Sequence, residues 1–407
     1  MSNNRQHGFA ILAGSLVALL GLQATLAVAQ EDEKIKSLSF TASQTFTRDS
    51  NLYRASSSQD LQGNDRSDSS SVTRAGVNFD DEFSRQGIHA GVSVSRTLYR
   101  NNTHLDNTSP DARLRWDWRL GNHLSGVLGY SYGETFVGFD NAGEAGNTKK
   151  TDRVMQRLGR ANASADYWWH PDWAVGLGFS NVHSNYRGGY ERSKYEATRS
   201  NLNFTYRPST GNRLVFSLSR ENGQYPNDPA ADWKQNDARF SGQWKLTGVT
   251  QLSGYVGYTQ RKYDVSNRDF SGTTGSLAFN WKPVNKFLLD LSWRREVGAD
   301  QDLVSNYAVS QTWALQPTWI VTSKVHLGAS YKYVKRKYSG DPDLGIVAPT
   351  RDARTQAYGV TLQYLPTETI NVALGFQKER RNAEDSDYSD YLNYRAQTVW
   401  LSGSFTF

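Results

Sequence analysis

Four charged residues recur at every second position of one stretch: Arg113, Arg115, Asp117 and Arg119 alternate with Ala112, Leu114, Trp116 and Trp118. Successive side chains of an extended strand point to opposite faces. This spacing therefore gathers the charges on one face and the apolar groups on the other. Such a face can pair ions, draw anions along a wet surface, or brace a packed interior. The same parity sets Arg160, Arg213, Arg239, Lys245, Arg261, Arg294, Lys332 and Arg336 on the polar side of their own runs. The acids counted on that side, Asp117, Asp166, Asp290, Glu296 and Glu379, are fewer. The expectation is a net-positive surface that favours anions. The competing expectation is that the arginines pair with carboxylates and simply stiffen the wall.

Other chemistries find little footing. Cysteine is absent, which excludes disulfides, thiolate metal sites, a cysteine nucleophile and a lipid-modified N-terminal cysteine. The seven histidines stand singly, with no HxxxH or HExxH pair, and no GxSxG or P-loop occurs. A serine–histidine hydrolase assembled from distant residues would draw on His89 or His326; a lone histidine on a strand is more often a polar wall residue. The expectation is a protein that is not an enzyme, with no metal and no cofactor. A net charge of +6 over 407 residues is spread too thinly to suggest nucleic acid.

The elements that carry these residues read as strands throughout. An alternating run ends in an aromatic, a tight turn follows, and a second run rich in Gly and aliphatics returns. Examples are Trp116 and Trp118 before Gly121-Asn122, Trp168-Trp169 before Pro171-Asp172, and Trp281 before Pro283-Val284-Asn285. Gly, Pro and Asn have the backbone preferences such turns need. Between these sites lie longer polar segments, among them 48–70, 138–152 and 340–352. Short turns alternating with long loops, together with 13% aromatic and 37% hydrophobic residues, suit a membrane barrel with a wet lumen and aromatic girdles. A β-propeller repeats at a similar period, but its blades hold four short strands where two long ones occur here. A soluble sandwich is the other rival. The last run, Leu392 to Phe407, places Val399, Leu401, Phe405 and Phe407 on one face, as in the closing strand of an outer-membrane barrel.

Residues 1–29 have the form of a secretory signal: Arg5, an uncharged and mainly apolar run from Phe9 to Leu22, then Ala27-Val28-Ala29. The rest, 30–407, is expected to be a single domain. Its class is all-β, a transmembrane antiparallel up-and-down β-barrel of about eighteen strands in the bacterial outer membrane. Nine runs, from 36–47 to 369–381, alternate in direction with nine from 70–80 to 392–407. The short stretch before the first run leaves no room for a plug, so a TonB-type transporter is not expected. A second basic set, Lys262, Arg295, Lys335, Lys337, Lys378 and Arg380, has outward parity near the long loops, where lipopolysaccharide phosphates would lie. Tyr255 and Trp400 have inward parity.

One further pattern is local. Arg48-Asp49-Ser50-Asn51-Leu52-Tyr53-Arg54 is followed by Arg66-Ser67-Asp68, then Ala75 to Asp80, Ser84-Arg85-Gln86, Tyr99-Arg100-Asn101 and Leu105-Asp106. This resembles the N-terminal part of EpsL-type proteins, the outer-membrane β-barrels of exopolysaccharide gene clusters, within the putative β-barrel porin superfamily. The resemblance covers about residues 48–118. It implies export of a secreted, acidic exopolysaccharide, with periplasmic export components as partners besides outer-membrane lipid and lipopolysaccharide. Arg48, Asp49, Asn51, Arg66 and Asp68 mark the family without an assigned role, and a structural loop-to-strand junction is an equally good account of them. Two alternatives stand beside export: a general anion-preferring diffusion porin, and a structural or docking barrel closed by its own loops.

Overall fold

Alternation of apolar and polar residues over more than ten positions is repeated until the sheet meets itself. In the computed structural model, residues 37–139, 148–188, 193–264, 269–299, 305–340, 352–383 and 389–407 are described; residues 1–29, expected to be a secretory signal, lie outside them. The strands are β1 Leu38–Asp49, β2 Asp68–Phe83, β3 Gln86–Tyr99, β4 Asn107–Leu120, β5 Leu124–Phe136 and β6 Met155–His170. They continue with β7 Trp173–Arg187, β8 Tyr195–Ser209, β9 Asn212–Gln224, β10 Trp233–Thr247, β11 Thr250–Tyr263 and β12 Phe270–Val284. The last six are β13 Phe287–Ala299, β14 Ser305–Ile320, β15 Val325–Gly340, β16 Ala353–Tyr364, β17 Ile370–Ala383 and β18 Tyr394–Thr406.

Each strand pairs antiparallel with the next, and β1 closes on β18 with Thr41 opposite Thr406 and Asp49 opposite Thr398. The result is one closed 18-stranded sheet. Closure gives every strand two partners, which is what lets backbone polar groups sit in a bilayer. The expected strand number and directions hold. Several strands run longer than their alternation suggested: β2 extends the expected 70–80 to Asp68–Phe83, and β9 runs to Gln224, still paired to Glu196. Ladder bonds continue past the apolar stretch because an antiparallel neighbour is still there to receive them.

The short turns share one end. Gly121 and Gly211 sit there with φ of +60° and +89°, and Ser84 with φ of +61°. Positive φ is cheap for glycine and costs other residues about 1–2 kcal/mol.

The two faces separate cleanly. Outward positions carry Val92, Leu114, Leu128, Leu177, Phe216, Val256, Leu291, Val360 and Leu401, all exposed; Leu177 is 67% exposed although it is laddered on both sides within β7. A belt of large apolar groups on this scale is stable only against lipid. Close to the short turns the belt is aromatic, with Trp169, Trp173, Trp281, Trp319 and Tyr364, the residue types that anchor at a membrane surface. The chain is a transmembrane barrel of the bacterial outer membrane.

Candidate functional site

The inward face is built by the complementary parity. On β4, Arg115 forms a two-pronged pair with Asp117 (2.7 and 2.6 Å). Across the β3–β4 pairing, His89 lies between Asp80 (2.8 Å) and Asp117 (3.4 Å). Arg113 donates to Asn78 at 2.8 Å, and Arg119 completes the column at the short-turn end, exposed to the interior. The remaining sequence-named cations stand elsewhere around the wall. Arg213 donates to Thr205 at 3.4 Å. Arg239 covers the Tyr255 ring at 4.1 Å, and Arg261 covers the Trp233 ring at 4.0 Å while donating to Gln235 at 2.8 Å. Arg294 lies 3.9 Å from Glu296. Arg160, Lys332 and Arg336 are half-buried, and Lys245 lies near the short-turn end of β10, its backbone N–H bonded to Asn212 at the start of β9. These cations form a distributed lining spread over six or more strands, not one cluster.

The expected acid count was too low. Asp49, Asp80, Asp111, Glu221 and Asp237 also belong to the inward parity. So do the cations Arg74, Arg199 and Arg381, and cations still outnumber carboxylates on the inner face. Both groups lie in regular alternation and follow from the same parity; only Asp49 lies beyond its expected run, 36–47. Arg199 joins Asp237 (2.5 Å) and Glu221 (3.5 Å). Asp237 further accepts from Thr259 (2.6 Å) and Gln235 (2.9 Å). This bracing polar network runs over β8 to β12. Trp400 is inward as expected, with its indole lying over Gly375, where a Cβ would meet the ring at 2.0 Å. His326 is buried, and the partners of His89 are carboxylates.

The second structure of the lumen is its long-loop mouth. Residues 50–67 fold into a compact body rather than an open loop. Tyr53, Ala55, Leu61 and Leu105 form a buried cluster with Leu52, Tyr99, Phe136 and Phe139 against it; burying each large apolar side chain contributes about 1.5–3 kcal/mol. Tyr53 Oη donates to Asn102 (2.8 Å), and burial, with the nearby Asp68 charge, pushes its pKa up. At the far side, Asn64 bonds Thr151 (3.0 Å), and Asp60 pairs with Thr148 as an isolated parallel bridge.

At the near side Arg54 reaches into the wall. Its guanidinium meets Asp49 of β1 at 2.9 Å and Glu379 of β17 at 3.2 Å. Glu379 accepts from Tyr394 of β18 (2.8 Å), and Asp49 from Thr398 (3.1 Å). Burial disfavours the Arg54 charge, but the Asp49 carboxylate beside it prevails and its pKa is raised. The backbone at Arg54 holds φ of +53°, a strained conformation for a non-glycine residue. The mouth body thus stretches from β17 to the connection between β5 and β6.

Of the five residues that carried the family resemblance, Asn51 and Arg66 belong to this body, Asp49 and Asp68 end the strands that flank it, and Arg48 stands on the outer face of β1. Asp49 accepts from the Asn51 N–H (2.8 Å); Asn51 bonds Ala55 O (2.7 Å) and Arg395 O (3.0 Å). Arg66 donates to Ala55 O (2.8 Å), and Arg48 to Ser69 (3.1 Å). Asp68, fully buried, accepts from the Asn102 N–H (2.8 Å) and side chain (2.9 Å), and from the Ser69 N–H (2.7 Å). They hold the loop's two ends. Sequence reading missed Arg54 as the residue joining loop to wall, because its partner Glu379 is 325 positions away.

No protein-family profile matches the sequence, and no curated relative is found. Among solved structures, the chain is similar to the outer membrane protein OpdK of Pseudomonas aeruginosa, at 10% identity over 91% of this chain and 99% of that one, TM-score 0.47. It is also similar to OccAB4 of Acinetobacter baumannii (9%, 92% and 99%, 0.48) and to OccK2 (OpdF) of Pseudomonas aeruginosa (12%, 91% and 97%, 0.49). Identities this low leave what the chain does to be read from its own residues.

Proposed function

We propose that the barrel is an outer-membrane diffusion channel that prefers small anions, with its mouth narrowed by residues 50–67. The supporting observation is the inner face itself: Arg113, Arg119 and Arg294 line a lumen in which cations outnumber carboxylates. A barrel of this strand number is wide enough for an aqueous path. Weak contacts spread around the wall suit passage, since a channel must release what it binds.

Single-channel recording of the refolded protein in a planar bilayer tests this. Stable conductance with a reversal potential on the anion side is the expected result; silence from folded barrels overturns it. Charge reversal at Arg113, Arg115 and Arg119 together is expected to weaken or invert the anion preference at unchanged unfolding temperature. An unchanged reversal potential would mean these arginines only brace the wall.

Export of an acidic exopolysaccharide is a second reading. What favours it is that Asp49, Asn51, Arg66 and Asp68, four of the residues on which the resemblance to EpsL-type proteins rests, secure the element over the mouth. A polymer would have to displace that element. Block of the current by purified acidic polysaccharide on the short-turn side supports export, and its absence at millimolar repeat units leaves the small-anion channel.

A further inference from the structure

The basic residues on the outer face are unevenly placed, and one group of them forms a cavity. Arg295 of β13 stands opposite Gln311 of β14, which stands opposite Lys335 of β15; Lys337 stands opposite Val309. All five have outward parity and line one groove of about 300 Å³. Three cations, an amide and Val309 therefore line a space large enough for a phosphate group, with the Arg295 Nε–H bonded to Thr273 O at 3.0 Å and its two terminal NH2 groups on the outer face.

Its height on the barrel matters. These strands run between short turns at one end and long connections at the other, and Arg295 lies toward the long-connection end of β13. Two residues nearer the membrane centre, Trp293 and Trp313 pair at 6.0 Å, with Tyr333 beside Trp313 on β15. Two residues of strand are about 7 Å, so the groove sits just above an aromatic belt, at the level of outer-leaflet headgroups. Farther round the same face lie Lys378 and Arg380 of β17, both exposed. Among the described residues, the outward positions of β13 to β17 carry no Asp or Glu. The face over β5 to β8 differs: there Glu134 pairs with Arg157 (3.1 Å) and Glu196 with His183 (3.0 Å).

We propose that the Arg295–Gln311–Lys335–Lys337 groove binds a phosphate of a phosphorylated glycolipid of the outer leaflet, as in the lipid A part of lipopolysaccharide. Charge complementarity and headgroup height select this occupant over a soluble anion. The guanidinium and two ammonium groups supply charge-assisted donors, and the aromatic pair beneath supplies a surface for acyl chains. The site is independent of what passes through the lumen.

The test uses the full chain refolded in detergent and purified bis-phosphorylated lipid A as the probe, with fully dephosphorylated lipid A in parallel. The variant R295Q/K335Q/K337Q removes three charges, keeps polar side chains at all three positions and leaves the lumen untouched. The wild type is expected to retain lipid A measured by native mass spectrometry, and the variant to bind about tenfold more weakly, as loss of charge-assisted hydrogen bonds implies. Both should show the same heat-modifiable mobility and conductance. The control variant R157Q, on the face that pairs its own charges, should bind like the wild type. Equal retention by wild type and triple variant overturns the proposal, as does equal retention of the dephosphorylated lipid. Displacement of lipid A by millimolar inorganic phosphate alone would show a soluble-anion site and likewise overturn it. A misfolded triple variant is replaced by K335Q/K337Q, read in the same way.

Discussion

Asp49 and Asp237 are buried carboxylates on opposite sides of the barrel, nine strands apart in the ring. Each is neutralised by an arginine and satisfied by a threonine hydroxyl: Arg54 and Thr398 for Asp49, Arg199 and Thr259 for Asp237. The difference lies in where the cation comes from. Arg199 belongs to the wall, fixed by the ladders on both sides of β8. Arg54 belongs to a loop body and reaches the wall only by adopting a left-handed backbone conformation. The same electrostatic solution stiffens one side of the barrel and tethers a removable element on the other. A charge pair inside the wall holds little else in place; a pair across a loop decides where that loop rests.

Breaking the tether should have the largest effect. Arg54→Ala leaves Asp49 and Glu379 buried with no guanidinium between them, and removing one partner of a buried pair costs about 3–5 kcal/mol. That is enough to release residues 50–67 from the mouth while the ring of strands stays intact. The expected outcome is a many-fold faster cleavage within 50–67 by added protease, with larger single-channel conductance. Protection and conductance like the wild type would show that the apolar cluster around Tyr53 holds the loop without Arg54.

The matching change on the other side sharpens the contrast. Asp237→Asn removes the charge that Arg199 meets but leaves Glu221 within 3.5 Å of it. Stability in denaturant titration should fall by about 1–3 kcal/mol, with cleavage of 50–67 unchanged. If the mouth opened in this variant, the two sides would be mechanically coupled and the comparison would fail.

The smallest effect is expected from Tyr394→Phe. It deletes one hydrogen bond to Glu379, 2.8 Å in length, and keeps the Arg54 pair. A net loss of about 1 kcal/mol should appear as a few-fold rise in loop cleavage and no measurable change in barrel unfolding. A rise as large as that of Arg54→Ala would move the tether from the guanidinium to the phenol.

Much of the wall was legible in the sequence because its physics is local. Period-two alternation assigns a face to each residue, and Arg113, Arg115 and Asp117 stand on the inner face for that reason alone. The same rule gives Trp400 an inward ring and Lys335 an outward ammonium. It places Asp237 and Arg199 inward as well; leaving out five acids against three cations overstated the positive excess. The role of Arg48, Asp49, Asn51, Arg66 and Asp68 was not legible: a cluster of polar residues at a loop reads as solvated until its partners are known.

Alternation, turn residues and the spacing between them determined an antiparallel barrel, its strand number and which side chains meet lipid, because each depends on neighbours within a hairpin. Tertiary structure alone decided that residues 50–67 fold back over the mouth, that Arg54 meets Glu379, and that Arg295, Lys335 and Lys337 enclose one groove. Those contacts join residues tens to hundreds of positions apart. They exist only once the ring has closed and placed β17 and β18 beside β1, and β13 one strand away from β15.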